Sequence, residues 1–306
     1  MRIPKILLDG VVFLYRTEDE ASQHAKLGGT GFLLNKAVFK NGKETGHFVP
    51  YLVTNKHVAA NCSVIRVNRR DGGEPDIYAM DERLWVHHPE GDDVSIIPVI
   101  GVLHDQRHRI SLCDTRRIMT EQGAQELQLG VGDEVCMIGR FINHQGRREN
   151  LSAARFGCIS IMPEPIWNKA VLKDQISFAV EMRSRTGFSG SPVIVYRTPA
   201  TILDVGLETD NFWGLLGVNW GYIFDEDGEN TWLNGVVPGW KIMDLFETPK
   251  LKNFHAEAER AAPDPQHDGA QPALATGVEP KTDNPSHKED FMSLLGAAAR
   301  SNKPTS

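Results

Sequence analysis

One serine of this chain has neighbours that suit a nucleophile. Ser189 lies in the segment Gly187–Ser191 (GFSGS), directly before the apolar, β-prone residues 193–196. A nucleophilic serine needs an exposed oxygen on a tight turn and backbone N–H groups that point at the developing oxyanion. Glycine on both sides permits the dihedral angles of such a turn. Because Gly-x-Ser-Gly also occurs in ordinary β-turns, the segment by itself leaves both interpretations open.

A histidine that could act as the base follows a predicted buried strand. Residues 48–54 are mostly apolar and rich in β-formers, and residues 55–60 (NKHVAA) suit a short helical turn. His57 is therefore expected just beyond the end of a strand, where its side chain can face a cleft. The alternative is an ordinary loop position on the surface, since the chain has eleven histidines.

An aspartate opens another strongly apolar strand. Asp93 follows Asp92 and precedes the apolar residues of segment 94–99 (VSIIPV). A buried carboxylate is costly unless it is paired. An imidazole N–H is a suitable partner, because the acid then fixes the tautomer and stabilises the imidazolium. The alternative is that Asp92 and Asp93 cap the loop before the strand.

The three residues come in the order histidine, aspartate, serine, and the segments around them resemble the motifs of trypsin-like serine proteases, in particular the non-secreted bacterial members. Residues 54–59 (TNKHVA) resemble the histidine motif of that family, and residues 93–97 (DVSII) resemble its Asp-Ile-Ala-Val-Leu strand. Residues 187–192 (GFSGSP) resemble its Gly-Asp-Ser-Gly-Gly-Pro segment. The spacings of 36 and 96 residues fit two successive small β-barrels that share the triad.

Three further segments lengthen the resemblance. They are residues 28–34 (GGTGFLL), 217–222 (GVNWGY) and 234–242 (NGVVPGWKI), which resemble an early Gly-Thr-Gly-Phe strand, the Val-Ser-Trp-Gly substrate strand, and the last strand with the start of the closing helix. The resemblance therefore covers roughly residues 5–248.

The resemblance implies a catalytic triad and an oxyanion hole. In such a site His57 takes the proton of Ser189, Asp93 orients the imidazole, and the backbone N–H groups of Gly187 and Ser189 hold the oxyanion. Phe188 stands where many secreted members carry the aspartate that receives a newly cut N-terminus. The resemblance therefore also implies that this activation switch is absent.

The resemblance implies substrate contacts as well. The strand that pairs with bound peptide comprises Val218, Asn219, Trp220 and Gly221. Arg183, six residues before Ser189, stands near the floor of the primary pocket, where an arginine favours an acidic side chain before the scissile bond. The alternative is that Arg183 points to solvent. Ser191, where the family has glycine, offers a second hydroxyl.

Composition supports an all-β protein. Short apolar strands separated by Gly, Asn and Asp turns recur along the 306 residues, a length that allows about two domains. We expect two six-stranded antiparallel β-barrels of the trypsin-like kind, with residues 1–108 forming the first and residues 109–248 a crossover and the second. The second barrel is expected to end in a short helix near residues 240–246.

The C-terminal part has a different composition. Residues 249–306 are expected to form a flexible tail, since residues 261–285 are rich in Pro, Ala, Asp and Gly and poor in large apolar residues. Within that tail, residues 287–300 place Phe291, Leu294 and Leu295 on one face of a short amphipathic helix. Such a helix suits docking to a partner. A helix without a partner, or one that folds back on the body, is the alternative.

Charge and cysteine content limit the setting. A net charge of −7 spread along the chain argues against nucleic acid as the main partner. No stretch reaches membrane-spanning length, and the short N-terminal apolar stretch is predicted to be a strand rather than a signal peptide. The four cysteines show no close-set pattern, so a reducing, cytoplasmic location is expected.

The expected function is that of a serine endopeptidase, which cleaves protein or peptide substrates through a covalent acyl-enzyme without a metal or organic cofactor. A catalytically silent or partner-activated binding module with the protease fold is the alternative. An α/β-hydrolase esterase is disfavoured, because its nucleophile elbow needs Gly-x-Ser-x-Gly and the order serine, acid, histidine.

Overall fold

Strands dominate the chain. The computed structural model describes residues 3–104, 106–197, 212–225 and 227–263. Its strands are β1 Val11–Tyr15, β2 Gly29–Lys40, β3 Lys43–Thr54, β4 Val64–Val67, β5 Asp76–Ala79, β6 Val86–His87, β7 Ser95–Pro98, β8 Cys113–Asp114, β9 Glu134–Arg140, β10 Ser152–Asn168, β11 Lys173–Glu181, β12 Pro192–Arg197, β13 Phe212–Phe224 and β14 Asn230–Pro238. Its α-helices are α1 Lys5–Asp9, α2 Glu18–Ser22, α3 Lys56–Ala59, α4 Glu121–Glu126, α5 Trp240–Phe246 and α6 Pro249–Ala261.

The first eight strands form one sheet. Its order is β5-β4-β1-β2-β3-β7-β6, and β8 pairs in parallel with β2. The β2–β3 hairpin turns at Asn41 and Gly42, whose φ angles of 53° and 75° suit a tight turn between twisted strands. Both faces of the sheet are buried, since Tyr51 and Val53 of β3 lie in one apolar cluster and Leu52 lies in another.

The remaining six strands form a closed barrel in the order β10-β11-β14-β13-β12-β9. Alternate residues of β9 and β12 fill it, among them Met137 and Val193. The residues between them, such as Ile138 and Ile194, belong to the same apolar cluster as Phe13 of β1. The barrel and the first sheet therefore share an apolar junction.

The predicted all-β fold in two parts is confirmed, and its second part is a six-stranded antiparallel barrel as expected. The first part differs in detail, because it is a sheet of eight strands to which the crossover contributes β8. The predicted helix near residues 240–246 is α5.

The predicted flexible tail begins too early. Residues 249–261 form α6, and Leu251 and Ala258 are buried in the cluster that also contains Tyr51. Pro249 occupies the first turn, where a missing N–H costs nothing. The proline therefore starts a helix here rather than a tail. The predicted helix over 287–300 lies outside the described residues.

In the part of the chain that the structure describes, no helix has the length and apolar character needed to cross a membrane.

Candidate active site

A cavity of about 450 Å³ opens beside the sheet–barrel junction. Its walls come from both parts of the molecule: Arg16, Leu27, Gly28, His57, Val58, Asn61 and Cys62 from the first, and Ser184, Arg185, Thr186, Gly187, Ser189, Asn219, Gly221 and Tyr222 from the second. The structure thus brings His57 and Ser189 to one cavity.

His57 lies on the short helix α3, directly after β3. Its ring Nδ1 lies 2.7 Å from Oδ2 of Asp93, and its backbone N–H donates to Oδ1 at 3.0 Å. A carboxylate can only accept, so Nδ1 carries the proton and Nε2 is left as an acceptor. The side chain of His57 is 26% exposed and that of Asp93 is 0% exposed. The imidazole is therefore partly open to solvent, whereas the carboxylate that it contacts is not.

Asp93 is held by residues of both sheets. Asn55 donates from Nδ2 to the Asp93 carbonyl at 2.8 Å, and the Asp93 N–H donates to Oε1 of Gln175 at 2.9 Å. Asn168, at the end of β10, donates from Nδ2 to Oδ2 of Asp93 at 3.3 Å. Asn55 and Gln175 thus hold the backbone of Asp93, while Asn168 and the two contacts of His57 satisfy a carboxylate that is fully removed from water.

The neighbouring Asp92 serves a different purpose. It is buried, and its carboxylate lies 2.8 Å from Nζ of Lys173 and 3.2 Å from Nζ of Lys241. Burial raises the pKa of Asp92, but the two ammonium groups lower it more, so the net shift is downward. Two adjacent acids therefore divide their roles: Asp93 contacts the histidine, and Asp92 joins the barrel strand β11 to α5.

One described group has metal-like spacing: His88, Glu90 and Asp92 offer ligand atoms within 4.8 Å of one another. The ammonium groups of Lys173 and Lys241 already contact Asp92, and their positive charges oppose a metal cation there.

The turn around Ser189 requires its glycines. Gly187 has φ +101°, and a Cβ there would lie 2.7 Å from the Arg140 carbonyl oxygen. Gly190 has φ +84°, and a Cβ there would lie 2.0 Å from the Thr30 carbonyl oxygen. Within the described residues, the backbone N–H groups of Gly187 and Ser189 make no hydrogen bond. They are unused donors beside the serine.

The hydroxyl of Ser189 points at β13 rather than at His57. Its Oγ donates to the Trp220 carbonyl at 3.4 Å, and in the described part of the chain no hydrogen bond joins it to His57. Ser191 is fully buried, and among the described residues its Oγ has no hydrogen-bond partner. The second hydroxyl of the segment therefore lies outside the cavity.

Thr30 is a residue that the sequence reasoning missed. Fully buried in β2, it donates from N–H to the Ser189 carbonyl at 2.8 Å and from Oγ1 to the Gly187 carbonyl at 2.6 Å. Its Oγ1 also accepts from the Arg140 N–H at 2.9 Å, and its carbonyl accepts from Oγ1 of Thr54 at 2.7 Å. One threonine of the first sheet thus fixes the serine turn on both sides of Phe188.

Arg140 supports the wall beside that turn. Its guanidinium is fully buried and donates to the carbonyls of Leu14 at 3.1 Å, Leu27 at 2.7 Å and Ala25 at 2.5 Å, and to Oε1 of Gln145 at 2.5 Å. Burial lowers the pKa of this guanidinium to about 10. Among the described residues, the acceptors of this guanidinium are neutral oxygens. Its hydrogen bonds to the carbonyls of Ala25 and Leu27 hold the segment that leads into β2.

The predicted substrate strand lies in β13, and its residues alternate. Asn219 and Gly221 line the cavity, whereas Val218 and Trp220 are buried away from it. The indole Nε1 of Trp220 donates to Oγ of Ser177 at 3.2 Å, and Asn219 donates from Nδ2 to the Phe188 carbonyl at 2.9 Å.

The prediction for Arg183 is corrected. Arg183 is exposed and does not line the cavity, whereas Ser184 and Arg185 do. Burial alternates along this segment, with Met182 and Ser184 buried and Arg183 exposed between them. A shift of one residue in such a segment exchanges the inward and outward side chains.

No family model and no curated protein sequence matches the chain. Among solved structures it is similar to the apo MamO protease domain from Magnetospirillum magneticum, with a TM-score of 0.47 and 12% identity over 78% of this chain and 96% of that one. It is similar to a variant of the HtrA-type protease AlgW with a tripeptide, with a TM-score of 0.45 and 16% identity over 79% of this chain and 60% of that one. It is also similar to Deg5, with a TM-score of 0.45 and 15% identity over 78% and 88%.

The first two of these neighbours are proteases by name, and AlgW is named as one of the HtrA type. At such identities the likeness concerns the fold alone.

Proposed function

We propose that this chain is a serine endopeptidase in which Ser189 is the nucleophile, His57 the general base and Asp93 the group that orients the imidazole. One observation carries the proposal. The 2.7 Å contact between His57 and Asp93 leaves a basic nitrogen at a cavity that Ser189 also lines.

The chemistry follows from the positions of the protons. The Ser189 hydroxyl turns from the Trp220 carbonyl toward His57, Nε2 takes its proton, and Oγ bonds to the scissile carbonyl carbon. The imidazolium that forms is stabilised by the buried Asp93 carboxylate. It then gives its proton to the leaving amine as the peptide C–N bond breaks. Water hydrolyses the acyl-enzyme by the reverse route, so no cofactor takes part.

The oxyanion would be held by the unused N–H groups of Gly187 and Ser189. One such donor is typically worth about 10² to 10³ in turnover. In the same proposal, substrate peptide adds as a strand beside Asn219 and Gly221, with backbone hydrogen bonds as its main attachment.

A second candidate function is a binding module that is silent, or that is active only with a partner. The observation in its favour is the orientation of the Ser189 hydroxyl, which donates to the Trp220 carbonyl. Catalytic hydrogen bonds are often loose before substrate arrives, so this orientation also suits a resting peptidase. A cytoplasmic location and a docking role for residues 287–300 stay predictions from the sequence.

Labelling with a fluorophosphonate probe, read by intact mass, separates the two functions. We expect wild type to gain one adduct, and we expect the adduct to vanish in Ser189→Ala and His57→Ala. Ser191→Ala is the matched control, since this serine lies two positions away but is buried outside the cavity. It should label like wild type.

Absence of labelling in a folded wild-type chain would contradict a constitutively active peptidase and support the binding module. Labelling that survives in Ser189→Ala would contradict the assignment of the nucleophile.

A further inference from the structure

We propose that the cavity selects an acidic side chain next to the scissile bond and that Arg185 is the residue that determines this specificity. The inference rests on the proposed peptidase function and names the substrate class for that site. Its starting point is the charge of the cavity wall. Among the described lining residues there are two arginines, Arg16 and Arg185, and no aspartate or glutamate.

The two arginines differ in their partners. Arg16 donates from Nε to Oε1 of Glu20 at 2.9 Å and from Nη2 to the same oxygen at 2.5 Å. Its charge is therefore already paired. Across the described part of the chain, no carboxylate lies within ion-pair distance of Arg185. Arg185 therefore brings an uncompensated positive charge to the cavity.

Arg185 lines the same cavity as Ser189 and lies near it in the chain. Arg185 is four residues before Ser189, and its carbonyl accepts from the N–H of Phe188 at 3.3 Å. Its backbone is thus part of the turn that carries the nucleophile. A carboxylate that meets the guanidinium would belong to a residue beside the bond under attack.

The lining of the cavity leaves space for a side chain at Gly221. Gly221 has φ +135°, and a Cβ built on it meets no atom within 4 Å. The hydroxyl of the next residue, Tyr222, donates to the carbonyl of Ser184, which joins β13 to the segment that carries Arg185. The cavity therefore has an open side at Gly221 and a fixed wall at Ser184.

The physical basis of the selection is the geometry of guanidinium and carboxylate. Arginine forms two parallel charge-assisted hydrogen bonds with a carboxylate, and these are about twice as strong as bonds between neutral groups. A lysine side chain would meet the unpaired positive charge of Arg185 instead. From the usual range for hydrogen bonds to charged groups, we expect a preference for glutamate over glutamine of about tenfold to a hundredfold in kcat/KM.

The test uses fluorogenic peptides that are identical except at the residue before the scissile bond, which is Glu, Asp, Gln, Lys or Phe. In wild type, kcat/KM should be about tenfold to a hundredfold higher for the Glu or Asp peptide than for the Gln peptide. Arg185→Gln should reduce that preference to within about twofold, since it removes the charge that supplies it. Arg183→Gln is the matched control, because Arg183 is also exposed, lies two residues away and is outside the cavity. It should keep the wild-type preference.

A preference for Lys or Phe in wild type would overturn the inference. Equal preferences in wild type and Arg185→Gln would also overturn it. Binding of the same peptides to the full-length Ser189→Ala variant, measured as Kd, gives a readout that does not need turnover. Tighter binding of the Glu peptide than of the Gln peptide, lost in Ser189→Ala/Arg185→Gln, supports the inference. Equal Kd values contradict it.

Fluorophosphonate labelling distinguishes a wrong specificity from a wrong proposed function, since the probe carries no acidic side chain. Equal labelling of wild type and Arg185→Gln, with no acidic preference in either, contradicts only the specificity. Absence of labelling with an intact acidic preference in Kd contradicts only the peptidase.

Discussion

The two halves of the proposed site differ in how their polar groups are satisfied. On the side of the first sheet, the Asp93 carboxylate accepts from the backbone and ring of His57 and from Asn168. On the side of the barrel, the Ser189 hydroxyl has one contact of 3.4 Å, and in the described chain two backbone N–H groups beside it have none.

Within the described residues, only the half with His57 and Asp93 has its polar groups satisfied by the protein itself. Fixed dipoles aimed at a developing charge need no reorganisation when the reaction occurs. In the proposed reaction, His57 is oriented before substrate arrives, because the Asp93 carboxylate that it contacts is already bonded. The N–H donors of Gly187 and Ser189 would then be left for the substrate oxygen.

The largest effect is expected for Asp93→Asn. The amide would donate rather than accept at the Nδ1 contact, so the imidazole would be held in the wrong tautomer. A change of this kind in a Ser-His-Asp triad costs about 10⁴-fold in kcat. The rate of fluorophosphonate labelling, measured in folded protein, should fall with it.

Asp92→Asn is the matched control for that experiment. Asp92 is an adjacent buried acid that contacts lysines rather than the histidine that pairs with Asp93. Its substitution should lower the thermal midpoint and leave the labelling rate of the folded fraction within a few-fold of wild type. Equal losses of rate in the two variants would contradict a special role for Asp93.

The second effect is expected for Thr30→Val, which keeps the shape of the side chain and removes the hydroxyl. The Gly187 carbonyl and the Arg140 N–H would lose their shared partner. A direct oxyanion donor is typically worth about 10² to 10³ in turnover. Thr30 would act only through the turn, so we expect a smaller loss of about tenfold in kcat, with little change in KM.

Thr30→Ser tests whether the hydroxyl is the cause, because it restores the donor and acceptor at the same Cβ. Activity should return to within about threefold of wild type. A Val variant as active as the Ser variant would show that the turn around Ser189 is held by its backbone alone.

A smaller effect is expected for Asn168→Ala, since this amide donates to Asp93 at 3.3 Å while His57 lies closer. Loss of one buried hydrogen bond predicts a fall in kcat of about two- to tenfold. The pH profile of kcat/KM should also shift, because the carboxylate that stabilises the imidazolium loses a donor. An unchanged profile and rate would limit Asn168 to packing.

Local features of the site could be predicted from the sequence. The strand before His57, the strand after Asp93 and the glycine turn at Ser189 each depend on residues within a short segment, so pattern and turn chemistry identify them. Contacts across long separations could not be predicted in this way. Thr30 and Gly187 are 157 residues apart, and their hydrogen bond exists only because two sheets pack together.

The errors have equally local causes. Arg183 is exposed and lies outside the cavity, whereas Arg185, two residues later, lines it, and an alignment of motifs does not resolve a difference of two residues. The composition of residues 261–285 favours a tail, but it does not describe residues 249–260. Pro249 stands at the start of α6, where proline is favoured.

The smallest effect on the site is expected from acidification of the face opposite the cavity. His255 of α6 lies 2.8 Å from the hydroxyl of Tyr51 in β3, the strand that leads to His57. Burial, together with the nearby Lys36, lowers the pKa of His255 to about 4, and burial raises the pKa of Tyr51. The phenol is therefore the donor and neutral His255 the acceptor, so that protonation of the imidazole removes the bond.

The undocked helix binds a proton more readily than the docked one, so the attachment of α6 should weaken as pH falls from about 6.5 to about 4. Hydrogen exchange over residues 249–261, corrected for the intrinsic effect of pH, should rise in this interval. In His255→Gln, which has an acceptor but no titrating group, exchange should stay flat. Exchange near His57 and Asp93 should not change, because their bonds do not involve α6. A parallel rise in exchange near His57 and Asp93 would show that this pair depends on the packing of α6 against β3. The order of the pair would then not be local to the site.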